Sequence, residues 1–104
     1  MITTPPIYMG QLGPFAKGDV VDQYFDLGAD TLAAGEAVAS VAFTVKDAAG
    51  TTVVGVVTTY SVTTATRVDA RLAIPATAGG YEIDMNWTIN DGQSITRTAG
   101  LWVV

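Results

Sequence analysis

The chain has 104 residues, 49% hydrophobic and 14% charged, with ten acidic side chains against five Lys or Arg and a formal charge of −5. That length allows one domain with a single modest core, and so much apolar surface excludes a disordered chain. The absence of cysteine and histidine excludes disulfides, Ser-His-Asp and Cys-His nucleophiles and zinc sites of ordinary ligands. The scattered cations Lys17, Lys46, Arg67, Arg71 and Arg97 argue against a nucleic-acid partner.

The opening MITTPPIYMGQLGPFAKGD has no basic region followed by an apolar run, so it does not read as a secretory signal. Pro5, Pro6 and Pro14 withhold backbone donors and Gly10, Gly13 and Gly18 loosen what remains, so the segment should not be a regular core strand along its full length. These glycines neither follow a strand nor lead into a helix, which leaves a phosphate cradle unsupported. Ile2, Ile7, Tyr8, Met9, Leu12 and Phe15 are nonetheless too apolar for a solvated tail. We expect an extended N-terminal arm over 1–19, with Ile7, Tyr8, Met9, Leu12 and Phe15 as partner-binding anchors on a neighbouring subunit. The alternative is an arm folded back on its own domain.

From residue 20 the pattern is that of strands and turns. In VVDQYFDL (20–27), Val21, Phe25 and Leu27 share one face, with Asp22, Tyr24 and Asp26 on the other. DTLAAGEAVAS is alanine-rich, but Gly35 and a weak helical period make it a connection. EAVASVAFTVK (36–46) then points Val41, Phe43 and Val45 inward, and DAAG closes it as a turn. Residues 51–74 favour β almost throughout and are too long for one strand, so the chain should reverse near SVTTAT (61–66), with Gly55 marking a bulge. RVDARLAI places Val68, Ala70, Leu72 and Ile74 inward. GGYEIDMNWTI (79–89) does the same for Tyr81, Ile83, Met85, Trp87 and Ile89, NDGQ is a hairpin turn, and SITRTAGLWVV follows. Six or seven short antiparallel strands, each with one apolar face, predict two packed sheets over 20–104. No stretch is long and apolar enough for a helical membrane span, so no membrane partner is expected.

Asp22 with Asp26, and Glu82 with Asp84, could pair carboxylates as glycoside hydrolysis requires, but they fall on outward positions where acids keep a sheet soluble. Asp19, Asp22, Asp26, Asp30 and Asp91 do not follow the spacing of a calcium loop. No catalytic residue, metal ligand or cofactor site is therefore expected. Trp87, Trp102, Tyr60 and Tyr81 could form a sugar-stacking platform or belong to the core; the parity of Trp87 favours core. Trp102 sits where both faces of the last strand look apolar, which suggests cover from a neighbouring subunit and makes it a partner-binding candidate. TTVVGVVTTYSVTTATR (51–67) carries one charge, at its end. It fits either a buried lateral contact or an ordinary Thr-rich sheet face.

Tyr81, placed after TAGG and two residues before Ile83, matches the tyrosine that folds back across a corner in immunoglobulin-type sandwiches, although the strand-C tryptophan of antibody domains is missing. DLGADTLAAGEAVASVAFTV and PATAGGYEIDMNWTINDGQSITRTAGLWVV further resemble the two halves of small immunoglobulin-like virion proteins of tailed bacteriophages. The resemblance covers roughly residues 24–104 and carries no catalytic signature. It implies a non-enzymatic, oligomeric structural role in the virion, as a head decoration (capsid surface), neck or tail-adaptor protein bound to other virion proteins. The competing expectation is a carbohydrate-binding adhesive module.

Overall fold

The computed structural model describes residues 7–28 and 31–104. Eight strands follow in chain order: β1 (Ile7–Phe15), β2 (Val20–Asp26), β3 (Val38–Asp47), β4 (Thr52–Val53), β5 (Val57–Val62), β6 (Arg67–Ala73), β7 (Gly79–Ile89) and β8 (Ser94–Val103). They form a five-stranded sheet of order β1-β8-β7-β3-β4 and a three-stranded sheet of order β2-β6-β5. Every neighbouring pair is antiparallel except β1 with β8.

The inward rows of both sheets meet in one core, as a β-sandwich requires. Val68, Leu72, Ile83, Trp87 and Leu101 are fully buried, and Phe25 of β2 meets Phe43 of β3 at 5.9 Å between ring centroids. Burying each such side chain contributes roughly 1.5–3 kcal/mol, which is what a domain without disulfides depends on. The expected inward residues of β2, β3, β6 and β7 all line or pack against this core.

Local chemistry explains the turns. Asp47 Oδ1 accepts from the amides of Ala49 and Thr51 to close the turn after β3, and Asp91 Oδ1 accepts from the Gln93 amide in the β7–β8 hairpin. The register shift between Val38 and Ser40 lets both Val38 and Val41 face inward although three positions separate them. At the corner before β7, the Tyr81 hydroxyl donates to the Thr77 carbonyl at 2.7 Å, and Ile83 beyond it is fully buried.

Three expectations are corrected. Gly55 does not mark a bulge; with φ of 81° it lies in the link that carries the chain from β4 in one sheet to β5 in the other, a reversal that a residue without Cβ makes at no steric cost. Val38, Ala39 and Ser40 of DTLAAGEAVAS belong to β3 and not to a connection, while the described strands within 20–104 number seven, inside the expected range. Finally, the arm predicted over 1–19 is not free across residues 7–15: that stretch is β1, paired with β8 of its own chain through Ile7↔Arg97 to Phe15↔Val103. Proline and glycine did not prevent this because β1 lies at a sheet edge, where a strand needs partners on one side only, and two register shifts, between Tyr8 and Gln11 and between Leu12 and Phe15, absorb the irregular residues. Residues 1–6 lie outside the described residues.

Candidate functional site: the exposed faces and edges

Of the partner-binding residues expected from sequence, the described side chains of Leu12, Phe15 and Trp102 lie on the paired strands β1 and β8 but face different ways. Leu12 and Phe15 are half-buried and pack against the chain's own core, as edge-strand side chains closing one end of the sandwich. Ile7, Tyr8 and Met9 belong to β1, but their side chains, with Ile2, lie outside what is described. Trp102 is 47% exposed on the outer face of β8, its ring lying over Gly80 of β7, while its neighbours Leu101 and Val103 are buried. The last strand thus has one core face and one outer face.

The four candidate platform aromatics are dispersed as well. Trp87 is wholly in the core, with its indole Nε1 unpaired. Tyr81 holds the corner. Tyr60 leans inward at the edge of β5, its ring 5.5 Å from Phe43 and its hydroxyl accepting from the Val41 amide at 3.3 Å. No stacking surface joins them to Trp102.

The outer face of the three-stranded sheet is a ladder of paired charges. Asp22 of β2 stands directly opposite Arg71 of β6 and accepts from its Nε at 3.0 Å. This hydrogen bond, with the attraction of the guanidinium, holds the Asp22 carboxyl below the usual range and raises Arg71. Arg67 binds Asp69 at 2.9 Å and lies 4.2 Å over the Tyr24 ring. Asp26 is spent on capping the turn amide of Gly28 at 2.8 Å. The pair Asp22 and Asp26 therefore serves pairing and turn formation.

On the outer face of the five-stranded sheet, Glu82 and Asp84 share one side of β7. Hydrogen bonding to Asp84, and then its charge, raise the Glu82 carboxyl above the ordinary range, while Asp84 also takes a bond from the Thr98 hydroxyl and lies 3.5 Å from Lys46. This acid pair sits on an open sheet face without walls to exclude water. A third acidic group joins the connection after β2 to the β7–β8 hairpin: Gln93 Nε2 donates to Glu36 at 3.0 Å and to Asp91 at 2.6 Å. Hydrogen bonding from Glu36, followed by the Gln93 amide, lowers Asp91. Among the described residues no three potential metal ligands cluster; Asp30 lies outside them.

No protein-family model and no curated protein matches the chain in sequence. Its candidate site must be sought in the surface itself.

Two features missed in the sequence matter there. Arg97, on the inward row of β8 between Ile95 and Ala99, is 8% exposed; its Nη1 donates to the Thr96 carbonyl at 2.9 Å, and burial lowers its pKa. Its parity with Leu101 and Val103 was the available signal. The second is a groove of ≈ 450 Å³ along the seam of the two sheets, lined by Val41, Phe43, Val53, Val54, Val57 and Tyr60. Val54, on the link around Gly55, is 88% exposed beside it. The groove exists because β4 spans only two residues and leaves most of β3 without a neighbour on that side.

Proposed function

We propose that this chain is a non-enzymatic structural domain with an immunoglobulin-like sandwich, serving in the virion of a tailed bacteriophage, on the head surface or at the neck. The fold part of this reading is carried by the Tyr81–Thr77 hydrogen bond at the corner before β7. It is supported by the strand order β1-β8-β7-β3-β4 over β2-β6-β5, with β1 parallel to β8. The virion part rests on the likeness of the turn and strand patterns in residues 24–104 to such proteins, an argument from analogy.

The surface agrees with a role in assembly. Among the described residues Asp22, Asp69 and Asp84 sit in ion pairs and Asp26, Asp47 and Asp91 hold turns, whereas the exposed large apolar side chains are Val20, Tyr24, Val54, Tyr60, Val62, Trp102 and Val104. Because Ile7–Phe15 is bound into the chain's own sheet, attachment through faces and edges replaces a clamp made by that segment. Immunogold electron microscopy of purified particles tests the proposal: label at the head surface or neck supports it, label on the tail moves the role to an adaptor, and particles without the protein end it. The adhesive reading has one specific foothold, exposed Trp102. Saturable glycan binding lost in Trp102→Ala would favour it.

A further inference from the structure

Of the four strands that end the two sheets, three are guarded against pairing with another chain. β1 carries Pro14 with Gly10 and Gly13, β2 bears Asp22 and Asp26, and beside the two-residue β4 the open stretch of β3 has its Val38 and Val41 amides taken by the Ala65 carbonyl and the Tyr60 hydroxyl. β5, VTTYSV, has no charge and no proline, and five of its six residues are exposed. Its one irregularity is the register shift between Val57 and Thr59, at the end away from the hairpin.

The direction of its open groups follows from the ladder. Thr63 donates to the Arg67 carbonyl across the hairpin; since antiparallel ladders alternate, Ser61 also points its backbone groups at β6, and Tyr60 and Val62 point theirs at the open edge. We propose that β5 pairs antiparallel with β5 of a second copy about a two-fold axis through Tyr60, joining two three-stranded sheets into one of six strands. Tyr60 then exchanges both bonds with Tyr60 of the second copy, and Val62 faces Thr58.

The choice of a second copy over a foreign strand rests on charge and symmetry. In this register Thr59 stands opposite Ser61 of the second copy, so no charges meet directly. The next residues out along the same cross-strand row are Arg71, the β6 neighbour of Thr59, and Asp69 of the second copy, the neighbour of its Ser61. The two-fold thus sets no like charges against each other, since Arg71 and Asp69 of the second copy stand three strand spacings apart and each is paired within its own chain, and the uncharged strand between them is self-complementary. The inference needs only copies of this chain and so fails or holds separately from the virion reading.

Sedimentation of the purified full chain decides it. The expected result is a concentration-dependent species of twice the 10.8 kDa chain mass, with the Tyr60 and Val62 amides gaining hydrogen-exchange protection on association. Thr59→Glu with Ser61→Glu sets like charges opposite each other and should weaken the dimer about tenfold or more. Thr59→Glu with Ser61→Lys sets unlike charges opposite each other and should retain it. Both positions are exposed, and unchanged circular dichroism verifies folding. A monomer at every concentration, a dimer indifferent to the double Glu variant, or one lost equally in both variants would overturn the proposal.

Discussion

Each buried side chain is judged by what surrounds it. Trp87 is completely enclosed between the sheets, so Trp87→Ala should cost roughly 3–5 kcal/mol in chemical denaturation. Glu82→Ala on the opposite face of the same strand should change stability by less than about 0.5 kcal/mol. Equal effects at both positions would mean that the faces of β7 are reversed. Glu82 also has a pH signature. Its folded-state pKa is raised by Asp84, so the folded chain binds its proton more readily than the unfolded one, and this contribution to stability is present at low pH and lost as pH rises through the raised value. Glu82→Gln should therefore be slightly more stable than wild type at neutral pH, and denaturation curves of the two should converge as the medium is acidified. Arg97 offers the converse test on the inward row of β8: Arg97→Met removes a desolvated charge whose hydrogen-bond partner among the described residues is the Thr96 carbonyl, and should leave stability unchanged or raise it by about 1 kcal/mol.

At the scale of elements, β1 decides how the chain begins. Gly13 has φ of 97°, and a Cβ there would stand 2.6 Å from the Trp102 carbonyl oxygen, so Gly13→Ala should destabilise by about 1–3 kcal/mol through backbone strain. Deleting residues 1–17 should uncover the edge of β8 and remove Leu12 and Phe15 from the core, costing on the order of 3 kcal/mol from two partly buried side chains. A truncated chain as stable as the full one, measured by urea denaturation, would return β1 to the status of a detachable arm. Alternation made β2, β6 and β7 legible, because a strand with one wet face must repeat every second residue. β1 was not legible: its apolar residues follow no period, and its partner lies more than eighty residues away. The bulge in β3 was equally hidden, since only pairing with β7 shows that Val38 and Val41 face the same way.

For the whole molecule, side chains from both sheets share one core, so the chain should unfold in a single cooperative transition, with Trp fluorescence and far-ultraviolet circular dichroism changing together. Separate midpoints would show sheets that fold independently. Composition and parity alone determined that this is an all-β domain without nucleophilic Cys or His, that Trp87 and Ile83 are inside, and that Tyr81 follows a corner. These are local properties, set by residue type and a period of two. Only the tertiary structure decided that the opening segment joins its own sheet, that Gly55 carries the chain between sheets, that Arg97 is buried, and that β5 is the unguarded edge. Each depends on which strand lies beside which, and such long-range pairing is chosen by the summed packing of both sheets, a quantity no short stretch of sequence contains.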